Sequence, residues 1–300
     1  MFSGVALLWQ TGYFSTFRPY HLTAFDNLRL VNDNYVLARA NKKGENSRLQ
    51  IDMLKNTIHK SLRRFGFDIT RIQKSDEIYP PDFAAGDVDI IRKVQAYTKT
   101  SQERIAALIQ AVRYLSGNHI GGDIVECGVW RGGSMAAAAR TLLQLNDVNR
   151  DLYLFDTYTG MSEPSENDVD YQGKGAAALL RADPDFQCDG APLETVKDVL
   201  AETGYPSERM HFVVGTVEAT IPDSAPASIA LLRLDTDWYE STKHELIHLF
   251  PRLRSGGVLI IDDYGHWKGA RKACDEYFAE NRIPILLNRI DYTGRIAIKQ

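Results

Sequence analysis

Three hundred residues, 44% apolar and 25% charged with a formal net charge of −4, are enough for a large core and match an ordinary soluble globular protein. Apolar runs such as VALLW at 5–9 and VLII at 258–261 fall far short of the roughly 20 residues that span a bilayer. The start, MFSGVALLWQTGYF, lacks the positive n-region and cleavage site of an export signal, and Cys127, Cys188 and Cys274 are scattered and odd in number, so a reducing cytoplasm is expected rather than a disulfide framework or zinc site.

The two ends of the chain differ in charge. Residues 1–75 carry twelve Lys/Arg against five Asp/Glu, or +7, which leaves −11 for the remainder. Within the first part, Ile51, Leu54, Ile58, Leu62 and Phe65 recur at helical spacing with Lys55, Lys60, Arg63 and Arg64 on other faces. Residues 1–90 are therefore expected to form a basic, partly helical N-terminal extension. It would dock on the main domain or on a second copy in a homo-oligomer; contact with an anionic membrane surface is a weaker expectation.

From about residue 98 a regular alternation begins. TSQERIAALIQAVRYL (100–115) sets Ile105, Leu108, Ile109, Val112 and Leu115 on one helical stripe behind a Ser/Thr start with Glu103 in the first turn. Short apolar runs follow, separated by helical segments: DIVECG (123–128), LYLFD (152–156), MHFVVG (210–215), IALLRLD (229–235) and GGVLIIDD (256–263). Runs that do not alternate polar with apolar are buried on both faces, as in a parallel sheet between helices, and predict a doubly wound α/β domain over 91–300. The long polar stretch 161–205 reads as an inserted lid, with Tyr171 and the Gly173/Gly175 pair near its flexible part. At the end, ILLNRI and RIAIKQ flank the turn DYTG (291–294), which predicts a C-terminal β-hairpin, the pattern of a class I methyltransferase fold.

Ligands of open α/β sheets bind beyond the carboxyl ends of the strands. Those ends deliver Glu126 with Gly128, then Asp156, Gly215, Asp235 with Asp237, and Asp262 with Asp263. An Asp after a strand often caps the next helix, but a cap needs one side chain, and two of these sites have two. The first strand runs into ECGVWRGGS (126–134), where Gly128, Gly132 and Gly133 allow close backbone approach and Ser134 opens a helix. The spacing departs from the dinucleotide pattern G-x-G-x-x-G. Glu126 would repel a pyrophosphate yet suit a cationic amino acid group, which favours S-adenosylmethionine, with Asp156 accepting from its ribose hydroxyls. Asp235, Asp262 and Asp263 end two strands that should be neighbours; three hard oxygen donors suit Mg²⁺ over zinc. A cation beside the methyl donor would bind and acidify the acceptor hydroxyl, with Asp237 as general base and His266 as the alternative base or substrate contact.

On the blocks TSQERIAALIQAVRYL, GGDIVECGVWRGGS, LFDTYTGMSEPS, LLRLDTDWYEST and GGVLIIDDYGHWKGARKA, the sequence resembles the macrocin O-methyltransferase family of sugar O-methyltransferases over roughly residues 95–300, and more distantly catechol O-methyltransferase. The resemblance implies a Rossmann-like, mostly parallel seven-stranded sheet and methyl transfer from S-adenosylmethionine to a sugar hydroxyl of a glycosylated metabolite or polysaccharide precursor. It implies Mg²⁺ on Asp235, Asp262 and Asp263, and Asp237 as base. The cofactor set it implies is Thr100, Ser101, Glu126, Gly128, Val129, Trp130, Ser134, Asp156, Thr157, Gly215, Thr216, Val217 and Asp235. A glycosyltransferase holding a nucleotide sugar through LDTD is the alternative, but it leaves ECGVWRGGS and the Asp262/Asp263 pair without a role.

Overall fold

Short strands that are apolar on both faces stay dry only when their connecting helices cross over on either side of the sheet, and this chain does so. The computed structural model describes residues 79–182 and 190–300. The amphipathic stretch at 51–65 lies outside the described residues. Two helices, α1 (Ala85–Val94) and α2 (Gln102–Gly117), precede β1 (Asp123–Cys127), α3 (Gly133–Gln144) and β2 (Leu152–Asp156). After the insert helices α4 (Ala176–Ala182) and α5 (Leu193–Ala201) come β3 (Met210–Val214), the single turn α6 (Val217–Thr220), β4 (Ile229–Leu234) and α7 (Tyr239–Leu249). The chain ends with β5 (Leu253–Ile261), α8 (Lys268–Glu280), β6 (Asn288–Arg289) and β7 (Arg295–Ile298).

The seven strands form one sheet in the order β3-β2-β1-β4-β5-β7-β6. The first five run parallel, and β7 lies antiparallel to both β5 and β6. Strand alternation sends Ile124 and Leu231 into one core with α1, α2 and α3, while Val125 and Leu232 face the other, with Leu246 and Leu249 of α7 and Cys274 and Phe278 of α8. The five residues of the α2 stripe are each at most 2% exposed, and its Ser101 side chain accepts the Arg104 N–H as the N-cap.

Two details depart from the expected outline. Position 90 falls inside α1, whose Ile90, Ile91 and Val94 are buried in the core, and the compact unit containing the sheet runs from Tyr79 to Gln300. The C-terminal hairpin forms, but its first arm is only Asn288–Arg289. Pro284 cannot donate to a ladder and Leu286 is 75% exposed, so the apolar run ILL stays off the sheet. A short outer strand also limits edge-to-edge pairing.

Candidate active site

Backbone pairing continues past the strand ends and sets the site in register. The Gly215 N–H donates to the Asp156 carbonyl, Gly128 to Phe155, Asp235 to Cys127 and Asp262 to Leu234, all at 2.9–3.0 Å. The acid-bearing loops thus leave the sheet side by side, above a cavity of about 420 Å³. Gly128 sits at φ +82°, and a Cβ there would run into the Asp235 carbonyl, so only glycine lets the β1 tip pass under the β4 tip.

On the β1–β2–β3 side, Gly128, Trp130, Asp156 and Thr157 line the cavity, joined by Gly215, Thr216 and Val217. The Asp156 carboxylate organises this side. Its Oδ2 accepts from the Val129 and Trp130 N–H groups at 2.7 and 3.0 Å, and its Oδ1 from Tyr158 N–H at 2.7 Å. A carboxylate has about four lone-pair positions; the Thr157 hydroxyl lies 3.4 Å from Oδ1 but its one proton goes to the Gly160 carbonyl at 2.6 Å, so capacity for one further donor remains.

On the β4–β5 side, Asp235, Asp262 and Asp263 offer carboxylate oxygens that all lie within 4.8 Å of one another. Asp237 and His266 line the same cavity, and Thr100 reaches it from the start of α2, donating to Asp262 at 3.2 Å. Asp237 has a left-handed backbone (φ 65°); its Oδ1 accepts the Trp267 indole N–H at 2.7 Å and its own N–H donates to Asp263 at 3.3 Å. Desolvation, then the charge of Asp235, pushes the Asp237 carboxyl up to about 7. Asp263 is also pushed well up, by burial first and then by Asp237, Asp235 and Asp262; Asp262 rises to about 6 by burial, with Arg233 pulling against it. Burial lowers the His266 imidazole, whose Nδ1 lies 3.1 Å from the Tyr292 hydroxyl.

Four expected residues stand outside the cavity lining: Ser101, Glu126, Val129 and Ser134. Ser101 is occupied as the α2 cap and donates to Asp291 at 2.6 Å. Ser134 is buried within α3, and Val129 contributes its backbone to Asp156. Strand alternation turns Glu126 away from the cavity, to share a small internal void with Leu108, Ser134 and Met135. It is 1% exposed, and Arg233 donates to its Oε1 at 2.7 Å.

Arg233 is the residue that sequence reasoning passed over. Its guanidinium also donates to Asp235 at 2.7 Å and to Asp262, while Arg104 pairs with Asp262 and Asp291. The signal was a lone Arg in the apolar strand LLRLD, since a buried Arg has to have acidic partners. The cavity-lining Asp235, Asp237, Asp262 and Asp263 nevertheless outnumber Arg104 and Arg233, and a divalent cation fits that surplus of hard oxygen donors.

The profile of the family described as macrocin O-methyltransferase (TylF) matches residues 32–298. The demethyldecarbamoylnovobiocin O-methyltransferase of Streptomyces niveus is 32% identical over 200 residues, covering 66% of this chain and 74% of that protein. The 8-demethyl-8-(2,3-dimethoxy-alpha-L-rhamnosyl)-tetracenomycin-C 4'-O-methyltransferase of Streptomyces olivaceus is 32% identical over 199 residues, covering 66% and 74%. Among solved structures, the O-methyltransferase NovP superposes with a TM-score of 0.62 at 26% identity, over 85% of this chain and 99% of that one. These likenesses lend nothing to a glycosyltransferase reading of LDTD. The glycine-bearing β1 tip beside Asp156, the acidic β4–β5 tip and these matches agree: the chain belongs to the macrocin O-methyltransferase family of class I S-adenosylmethionine-dependent O-methyltransferases.

Proposed function

We propose that this enzyme methylates a hydroxyl of a sugar, on a glycosylated natural product or a polysaccharide precursor, with the help of Mg²⁺. The observation that carries the reading is the convergence of Asp235, Asp262 and Asp263 in the cavity that Gly128, Asp156 and Gly215 also line. The rhamnosyl group in the name of the Streptomyces olivaceus relative supports a sugar acceptor. When bound, S-adenosylmethionine supplies an electrophilic methyl group and Mg²⁺ on the three aspartates supplies a Lewis acid that favours the deprotonated acceptor.

The chain's own residues do the rest. Asp156, with its remaining lone pair, and the tips at Gly128 and Gly215–Val217 hold the cofactor; Thr100 lines the same cavity beside Asp262. Arg104 and Arg233 keep the aspartates in position. Asp237 takes the acceptor proton, its carboxylate oriented by the Trp267 indole. His266 is the second candidate base, with one ring nitrogen engaged by Tyr292. The described parts of the insert, 161–182 and 190–205, flank the cavity, since Met161 and Ser162 of the first and Gly190 and Ala191 of the second line it. The first part is pinned: the Trp238 indole donates to the Ser162 carbonyl at 2.9 Å and the Tyr239 N–H to Asp168 at 2.7 Å.

The test is transfer of labelled methyl from S-adenosylmethionine to a panel of rhamnosides, other glycosides and nucleotide sugars, with and without Mg²⁺. Labelled sugar that depends on Mg²⁺ and on Asp237 supports the reading; undiminished transfer in chelator removes the metal.

A further inference from the structure

Three chain segments that are distant in sequence bring aromatic rings together beside the cavity: His266 and Tyr292 line it, and Tyr171 packs against both. Tyr171 comes from the insert, His266 from the β5–α8 turn and Tyr292 from the β6–β7 turn. The ring centroids form a nearly equilateral triangle: 5.7 Å from Tyr171 to His266, 5.7 Å from Tyr171 to Tyr292 and 5.9 Å from His266 to Tyr292. Tyr171 is 52% exposed and Tyr292 55%, so neither ring fills the core. The turns that carry them are tied down by hydrogen bonds. The Asp170 carboxylate accepts from Gln172 and Lys174 N–H at 2.9 and 2.8 Å, and Asp170 bridges to Trp267. On the other turn Asp291 accepts from Thr293 and Gly294 N–H at 3.0 and 2.7 Å, and the Thr293 hydroxyl donates to the Asp262 carbonyl at 2.8 Å.

We infer that Tyr171, His266 and Tyr292 form the acceptor subsite, a platform for the apolar C–H face of a pyranose ring; this rests on the sugar reading above. The platform is continuous with the catalytic cleft, because His266 and Tyr292 line the same cavity as Asp237 and Asp263. The C–H bonds of a sugar face are complementary to the electron-rich faces of aromatic rings, and each of the three rings already has a polar atom engaged, Tyr292 with His266 at 3.1 Å and Tyr171 with the Gln172 amide at 2.9 Å. The angles between the rings favour a puckered ligand. They are 54°, 84° and 74°, so no two faces lie parallel, and the rings offer a flat aromatic acceptor no two-sided slot.

Saturation-transfer NMR tests this on the full chain with S-adenosylhomocysteine and Mg²⁺, using methyl α-L-rhamnopyranoside as probe and catechol as the planar competitor. In the parent protein, saturation should concentrate on the protons of one sugar face. It should fall about two- to tenfold per ring in Tyr171→Ala and Tyr292→Ala, stay near the parent level in the Phe variants, and leave S-adenosylhomocysteine affinity unchanged. Equal saturation of the Ala variants overturns the platform and leaves the sugar reading intact. Uniform saturation of both sugar faces in the parent overturns the platform without any variant. Saturation of catechol instead of the rhamnoside, or of neither, overturns both.

Discussion

The two halves of the sheet's carboxyl edge carry similar residues in opposite electrostatic states. At the β1–β2 tips the cavity-lining acid, Asp156, meets three backbone N–H donors at hydrogen-bond distance. At the β4–β5 tips Asp235, Asp237, Asp262 and Asp263 face one another, and their carboxyls at 237, 262 and 263 are pushed up by burial and mutual repulsion in spite of Arg104 and Arg233. A carboxylate solvated by amides is a finished scaffold, whereas carboxylates that crowd one another leave binding energy for a cation. The first half suits a cofactor that must fit a fixed shape, the second an ion and an acceptor that must exchange.

The sharpest way to break this division is to remove an acid from the second half. Asp262→Ala or Asp263→Ala should lower methyl transfer by about a thousandfold or more while calorimetry finds S-adenosylmethionine affinity within about twofold. Parallel loss of cofactor binding would show that the halves do not work separately. Next in size, Gly128→Ala attacks the point where the β1 tip passes under Asp235. Combined backbone strain and overpacking should cost more than about 2 kcal/mol in chemical denaturation and weaken both halves at once.

A smaller effect is the stabilisation by Mg²⁺ itself, about 2.7 kcal/mol at a hundred times its dissociation constant. It should be larger at pH 8 than at pH 6, because the cation must displace protons from carboxyls raised to about 6 at Asp262 and well above the ordinary carboxylate value at Asp263. Thermal melts at both pH values check this, and a pH-independent shift would argue against binding at these groups. The smallest effect concerns Glu126, raised from 4.5 to about 8 chiefly by burial. With its folded pKa above the unfolded one, the native state holds the extra proton. The stability Glu126 contributes is therefore full below about 4.5 and lost as pH rises to about 8. The melting temperature of the parent should fall relative to that of Glu126→Gln across that window, because Gln keeps the neutral form at every pH; a constant difference would assign Glu126 no titration there.

Much of this layout was legible in the chain. VLII and IALL announced strands buried on both faces, and the acids that follow them announced the edge where chemistry collects. The hairpin was readable from DYTG, yet its first arm was overestimated, because a short apolar run before a loop looks the same whether or not it pairs. Glu126 was legible as an acid beside the glycine loop, but the direction of its side chain was not. One residue of alternation turns it from the cavity to Arg233. Arg104 had no local signal at all, since its partners Asp262 and Asp291 lie 158 and 187 residues further along the chain.

What the sequence determined by itself was therefore the periodic part: the α/β class, the parallel strands, the turn types and the identity of the acids at the strand tips. These follow from local rules of side-chain alternation and backbone conformation, which act over a few residues. Only the tertiary structure decided which charges meet. Arg233 joins Glu126, Asp235 and Asp262, and Tyr171, His266 and Tyr292 come together from three segments, because strand order and register are set by how the whole core packs.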